Sequence, residues 1–69
     1  MPPHTFRDIE HVLRKHGFIV YRQKGSHVIF RHPETKRLTI VPYHGSNTPI
    51  TIGVFHAILK QTGLKKESF

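Results

Sequence analysis

Seven histidines occur in a chain of 69 residues that contains no cysteine. The imidazole titrates near neutral pH, so histidine is the usual side chain for proton transfer and a common metal ligand. A helical pair of metal-binding histidines needs i, i+4 spacing and a strand pair needs i, i+2 spacing, and no two histidines here have either. The absence of cysteine excludes a thiol nucleophile, a thiolate zinc site and a disulfide framework. The histidines therefore predict acid–base chemistry without a metal or another cofactor.

One histidine follows a tight turn between two candidate strands. Gly25 and Ser26 predict the turn, and His27 begins the next strand, where the backbone would hold it while its ring stays open on one side. Arg22 and Lys24 would attract a phosphodiester and stabilise the charge of its transition state. Gly25 would let the phosphate come close, and Ser26 would orient the backbone or the substrate. RNA brings its own nucleophile, the 2′-hydroxyl, so one general base beside cations suffices. From composition alone, an ordinary half-exposed strand histidine is the competing interpretation.

Four further side chains are weighed for the same chemistry. His44 follows the third candidate strand and would approach His27 if the strands fold back on one another, as a second proton-transferring group, an RNA contact or only a loop residue. Arg31, in the second strand, adds a cation for binding RNA. His32 lies at the far end of that strand from His27, so we expect it to be a turn residue. Tyr43 either stacks on a base or covers the core.

Helical periodicity at both ends of the chain predicts two helices. Thr5 and Asp8 have the spacing of a capping box, and apolar residues then recur at helical spacing, which predicts a helix over residues 5–16. A second apolar stripe predicts a helix over residues 51–62. We expect residues 1–4 to form a short extended lead-in to the first helix and residues 65–69 to form a frayed tail.

Three runs rich in β-branched and aromatic residues lie between the helices, and short turns separate them. They predict an antiparallel meander with strands at 18–23, 27–32 and 37–41. The resulting order is α-β-β-β-α, an α+β fold in which two helices cover one face of a three-stranded antiparallel sheet and the other face is left in water. No break in composition divides the chain, so residues 1–69 predict a single domain.

Composition indicates an anionic partner. Lys and Arg number 11 against 4 Asp and Glu, which gives a formal net charge of +7. Such an excess is typical of proteins that bind nucleic acids or acidic surfaces. A chain this small buries only about 60% of its unfolded surface, so a deep multi-substrate cleft is disfavoured. The apolar runs are too short for a membrane span, no signal-peptide core is present, and the lack of cysteine favours the cytoplasm.

Four segments carry a resemblance to a known family. They occur in the family's order, and they are Arg-Gln-Lys-Gly-Ser-His at 22–27, Phe-Arg-His-Pro at 30–33, Thr-Ile-Val-Pro-Tyr-His at 39–44, and Ile-Leu-Lys-Gln-Thr-Gly-Leu at 58–64. Together they resemble the HicA-type (YcfA-like) mRNA interferase toxins of bacterial and archaeal toxin–antitoxin pairs. The resemblance covers nearly the whole chain.

The resemblance implies more than the spacing does. It implies a double-stranded-RNA-binding-domain-like fold, cleavage of mRNA, inhibition by a HicB-type antitoxin, and His27 as the catalytic residue. One region departs from the family pattern. Gly-Val-Phe-His at 53–56 replaces the usual Gly-Thr-Leu-Arg, and Ile52 replaces the usual proline. These changes remove a cation and a hydroxyl from the start of the second helix.

The sequence thus predicts a metal-independent endoribonuclease toxin that cleaves single-stranded or weakly structured mRNA. Its expected partners are mRNA and an antitoxin, with no membrane and no small-molecule cofactor. One alternative is a non-catalytic module that binds double-stranded RNA, although residues 51–56 lack the lysines such domains place at a helix N-terminus. The other is an adaptor that only engages an antitoxin-like protein, whose contact surface should be acidic.

Overall fold

Residues 4–69 are described by a computed structural model, and the rest of the predicted lead-in, residues 1–3, lies outside this range. The element order is the predicted α-β-β-β-α, and every predicted boundary lies within one residue of the observed one. The elements are α1 (Phe6–Lys15), β1 (Ile19–Lys24), β2 (His27–Arg31), β3 (Leu38–Pro42), α2 (Ile52–Thr62) and a short 3₁₀ helix, η1 (Lys66–Ser68).

Local hydrogen bonds fix both ends of α1. The Thr5 hydroxyl accepts from the Asp8 N–H at 3.2 Å, and the Asp8 carboxylate accepts from the Thr5 N–H at 3.0 Å, so the predicted capping box is confirmed. The hydrogen bond from the Thr5 backbone N–H is the larger cause, and the bond with the Thr5 hydroxyl the smaller, of a pKa of Asp8 that lies below its usual value. At the other end Gly17 adopts φ 91° and the Phe18 N–H donates to the Leu13 carbonyl at 2.8 Å. This is a Schellman motif, which turns the chain sharply towards β1.

The sheet is antiparallel with strand order β1-β2-β3, as a meander requires. One irregularity interrupts β1: Val20 pairs with Phe30 and Arg22 pairs with Ile29, which leaves Tyr21 as the extra residue of a β-bulge. Counted from the hairpin turn, strict alternation would place Val20 on the outer face. The bulge instead turns Val20 to the inner face and leaves the Tyr21 side chain outside.

The core lies between the helices and one face of the sheet. Alternate residues of β2 and β3 point into it, and their neighbours point away from the helices, so the predicted packing of both helices on one sheet face is confirmed. The buried apolar residues form one cluster, made of Phe6, Ile9, Leu13, Phe18, Val28, Phe30, Val41, Ile50, Phe55 and Ile58.

Gln61 of α2 ties this helix to the edge of the sheet. Its side-chain oxygen accepts from the Thr39 hydroxyl at 2.7 Å and from the Ile40 N–H at 3.3 Å. Thr39 is fully buried, so its hydroxyl needs such a partner. The contact also satisfies an N–H that an edge strand would otherwise leave open.

The prediction of a frayed C-terminal tail is wrong. Residues after Leu64 form η1, and Phe69 is partly buried against the core. The Phe69 ring meets the Phe55 ring edge-on at 5.3 Å, and the His4 ring lies 4.8 Å from Phe55. An aromatic side chain at the end of the chain therefore gains enough burial to offset the cost of ordering five residues.

Candidate active site

The two-residue turn before His27 is fixed on both sides. Gly25 has φ 58°, as a hairpin turn of type II′ requires, and a Cβ there would meet no atom within 4 Å. The glycine is thus needed for its backbone conformation, and the space around it is open. The Gln23 side-chain amide donates to the Gly25 carbonyl at 3.1 Å, and the Tyr43 N–H donates to the Ser26 carbonyl at 2.6 Å.

His27 lies on the sheet face that the helices leave open. It is directly opposite Lys24 of β1 and Pro42 of β3, and its side chain is exposed. Directly opposed residues have Cβ atoms about 5 Å apart and share a face, so the side chains of Lys24 and His27 leave the sheet from adjacent positions. Arg22 is two residues earlier on β1 and points to the same face. An approaching nucleic-acid strand would meet these three side chains together.

Arg31 lies on the same face but at the opposite end of β2. Four residues of strand separate it from His27, a distance of about 13 Å. Its guanidinium stands over the Tyr21 ring, 5.3 Å from the ring centroid. Arg31 therefore extends the positive charge along the open face and does not join the His27 group.

The end of β3 lies beside the hairpin, as the meander prediction requires. Pro42 pairs with His27, and His44 follows two residues later, exposed, with its carbonyl accepting from the Thr48 hydroxyl at 2.6 Å. A cavity of about 260 Å³ opens between this loop and the start of α2. It is lined by Pro42, His44, Thr48, Pro49, Ile50, Thr51 and Val54.

Tyr43 packs against the core. Its ring meets the Phe6 ring edge-on at 4.8 Å, and 38% of the side chain remains exposed. Its backbone N–H holds the Ser26 carbonyl of the turn. Of the two sequence interpretations, the covering of the core is the one observed, and Tyr43 also links the core to the turn.

His32 is a turn residue, as predicted. Its Nδ1 accepts from the backbone N–H groups of Glu34 and Thr35, both at 3.2 Å, and its ring meets the Phe18 ring edge-on at 5.2 Å. Since Nδ1 is used as an acceptor, this histidine organises the β2–β3 turn and lies away from the hairpin.

No acidic side chain lies on any of the three strands, all of which fall within the described residues. Asp8 and Glu10 belong to α1, Glu34 to the β2–β3 turn and Glu67 to η1. Across residues 4–69, no three histidine or acidic side chains converge in the way a metal ion requires. The same residues contain no helix long and apolar enough to cross a membrane.

The start of α2 carries no cation. The Thr51 hydroxyl caps the helix by accepting from the Val54 N–H at 3.4 Å, and Ile52–His56 contains neither Lys nor Arg. Domains that bind double-stranded RNA use basic residues at this helix end to reach phosphates. The positive charge around the site comes instead from β1 and β2.

The chain is a small α-β-β-β-α domain whose fold resembles that of double-stranded-RNA-binding domains, and the open face of its sheet is basic. A family model described as the HicA toxin of bacterial toxin–antitoxin pairs matches residues 6–64, from the start of α1 to just beyond α2. The chain belongs to the HicA toxin family, which confirms the resemblance carried by the four segments. A comparison with curated proteins found no significant match.

Proposed function

We propose that this protein is a metal-independent endoribonuclease that cleaves mRNA in the cytoplasm, with His27 transferring the proton. One observation carries the proposal: an exposed imidazole lies directly opposite Lys24 and beside Arg22, on the open face of a HicA-family domain. An enzyme that cleaves mRNA is also the simplest form of a toxin whose charge attracts nucleic acid.

The reaction follows from what RNA supplies. The neutral His27 imidazole accepts the proton of a ribose 2′-hydroxyl, whose oxygen attacks the adjacent phosphorus. The bond from phosphorus to the 5′-oxygen breaks, and that oxygen takes a proton from the imidazolium or from water. The products are a 2′,3′-cyclic phosphate and a 5′-hydroxyl end. Proton transfer of this kind contributes about 10²–10⁴-fold to a rate.

The neighbouring residues bind the phosphate and offset its developing charge. Lys24 and Arg22 supply cations on the same face as His27. The open space around Gly25 lets a phosphate approach the turn, and the held carbonyl of Ser26 keeps the turn in place. Arg31 extends the binding track along the face.

The strand register favours a role for His44 in contacting RNA. Its backbone follows the residue paired with His27, so an RNA strand bound at the hairpin also passes His44. We assign it an RNA contact, with a second proton-transfer role as the alternative. A His44→Ala variant separates the two, since loss of a contact raises KM and loss of a proton donor lowers kcat.

The test compares cleavage of single-stranded RNA by wild type, His27→Ala and the control His11→Ala, all with EDTA present. His11 is an exposed histidine of α1, away from the sheet. His27→Ala should be slower by about 10²-fold or more, and His11→Ala should cleave like wild type. A 2′-deoxy substitution at the cleaved linkage should block the reaction. Equal rates for His27→Ala and wild type would contradict the assignment of His27, and loss of cleavage in EDTA would contradict metal independence.

The same preparation distinguishes the two non-enzymatic alternatives. A duplex-binding module would shift double-stranded RNA in a gel and cleave no single strand, and the absence of cations on α2 at Ile52–His56 disfavours it. An adaptor would bind the antitoxin without arresting growth. Growth arrest that the antitoxin relieves and that His27→Ala abolishes would select the enzyme.

A further inference from the structure

The cavity between the β3–α2 loop and the start of α2, which we call the loop pocket, has walls that are mostly apolar. Pro42, Pro49, Ile50 and Val54 supply these walls, and the cavity volume is about 260 Å³. Sites for drug-sized ligands measure about 300–1,000 Å³. The loop pocket is therefore of a size for one ring system and not for an extended molecule.

Backbone hydrogen bonds fix the loop that forms the pocket. The Ile50 N–H donates to the His4 carbonyl at 2.7 Å, and the Arg7 N–H donates to the Ser46 carbonyl at 3.0 Å. The two prolines restrict the loop further, because the pyrrolidine ring fixes φ. A ligand would thus enter a site that is already formed, which lowers the entropic cost of binding.

The loop pocket begins one strand away from His27. Pro42, which lines the pocket, is the direct partner of His27 in the β2–β3 pair. Lys24 is the direct partner of His27 on the other side, in β1. Neighbouring strands are about 4.8 Å apart. A ligand held at His27 therefore has cations on one side and the pocket on the other.

The charges on these two sides differ. Residues 42–54, which include the whole pocket lining, contain no Asp, Glu, Lys or Arg. A phosphate group is stabilised beside Arg22 and Lys24, where charge-assisted hydrogen bonds are available. A neutral aromatic ring is better placed between apolar walls. The two sides of His27 thus match the two parts of a nucleotide, its phosphate and its base.

Three polar side chains in the pocket can contact the edge of a base. The Thr48 hydroxyl donates its proton to the His44 carbonyl at 2.6 Å, so its oxygen has a lone pair to accept with. The Thr51 hydroxyl accepts from the Val54 N–H at 3.4 Å, so its own proton can be donated. His44 adds an exposed imidazole. A pocket with both a donor and an acceptor distinguishes one base from another.

We propose that the loop pocket binds one nucleobase of the RNA substrate, the base beside the linkage cleaved at His27, and so selects where the RNA is cut. This proposal rests on the proposed RNA cleavage and adds to it the site that positions the substrate. Proteins recognise single-stranded RNA through bases that leave the stack and contact side chains. His44 then contacts the base, which agrees with the RNA contact assigned to it above.

The first test removes single bases from a short RNA that has one cleavable linkage and is 2′-deoxy at every other position. For the wild-type protein, an abasic ribose on one side of that linkage should lower kcat/KM about 10-fold or more, since this is the usual contribution of one bound base. An abasic ribose on the other side should have a smaller effect. Equal kcat/KM for the intact RNA and both abasic RNAs would overturn the proposal.

A pair of variants assigns this effect to the pocket. Val54→Phe fills the cavity, and Ile52→Phe adds the same ring to α2 at a position that is 68% exposed and does not line the cavity. Val54→Phe should cleave intact and abasic RNA at similar rates, whereas Ile52→Phe should keep the wild-type preference for intact RNA. A Val54→Phe protein that keeps this preference would contradict base binding in the loop pocket.

A binding measurement on the wild-type chain needs neither a variant nor cleavage. The probe is a 2′-deoxy dinucleotide, which has no 2′-hydroxyl to attack its phosphate. The methyl signals of Ile50 and Val54 should shift with this probe, that of Ile52 should not, and an analogue without bases should shift none of them.

The outcomes separate the pocket from the chemistry. Shifts at Ile50 and Val54 in a chain that cleaves no RNA would contradict the proposed cleavage and still support base binding. Cleavage of RNA without these shifts would overturn the pocket alone. If the two signals move only with the antitoxin, a protein side chain fills the pocket and the proposal is wrong.

Discussion

Gln61 joins α2 to β3 through one side-chain oxygen, and removing it should destabilise the fold strongly. That oxygen accepts from the Thr39 hydroxyl at 2.7 Å and from the Ile40 N–H at 3.3 Å, and Thr39 is 0% exposed. Gln61→Ala leaves a buried hydroxyl without a partner, which costs about 1–3 kcal/mol. A domain of this length has a free energy of unfolding of only about 3–10 kcal/mol. One side chain therefore controls a large share of the stability.

The reverse truncation should cost less. Thr39→Val removes the hydroxyl and keeps the shape, and Gln61 is exposed enough for its oxygen to bind water, so the free energy of unfolding should fall by about 1 kcal/mol or less. In the double variant the buried hydroxyl is gone, and Gln61→Ala should then cost little more. The cycle should yield a coupling energy of about 1–2 kcal/mol.

Urea unfolding followed by circular dichroism measures all four proteins. At about 4–8 °C per kcal/mol for a domain of this size, Gln61→Ala should also lower Tm by about 10 °C. Additive losses in the two single variants would refute the reasoning, because they would mean that the hydroxyl and the amide act independently. A Gln61→Ala variant as stable as wild type would show that Thr39 finds another acceptor.

Two further predictions concern the caps and turns. In urea, Gly17→Ala should lose more of the free energy of unfolding than Gly25→Ala. Both glycines have positive φ, but of the two only Gly17 has an atom that a Cβ would meet, the His32 Nε2 at 2.7 Å. Equal losses of stability in the two variants would contradict this clash. Asp8→Ala should lower the free energy of unfolding by about 0.5–1 kcal/mol at pH 7. Because the Thr5 hydrogen bonds depress the pKa of Asp8, its contribution is complete above the usual value of 3.8 and is lost as pH falls through the lower folded value. The gap between Asp8→Ala and wild type should therefore close in acid melts, and a constant gap would rule out the carboxylate.

Much of the fold follows from signals local in sequence. The Thr5–Asp8 spacing and Gly17 set the limits of α1, and Gly25–Ser26 sets a two-residue turn. That turn length alone makes Lys24 and His27 a direct pair, so the centre of the candidate site is predictable without coordinates. The hairpin residues need no long-range information because their geometry is fixed within six positions.

The features that sequence reasoning missed depend on distant contacts. No glycine or proline marks the bulge at Tyr21, so periodicity alone assigns the wrong face to the start of β1. The contact of Gln61 with Thr39 joins residues 22 positions apart. The docking of Phe69 on Phe55 likewise depends on how α2 lies on the sheet, which no local pattern specifies.

The separation of core and site has a consequence for every test of function. The buried cluster uses the helix-facing side of the sheet, whereas His27, Lys24 and Arg22 occupy the other side and contribute nothing to it. Removing an exposed side chain from that side should therefore leave Tm close to wild type, since surface changes away from caps and cores shift stability by about 0.5 kcal/mol or less. A His27→Ala protein that has the Tm of wild type but no longer cleaves RNA would have lost its catalytic activity while keeping its fold.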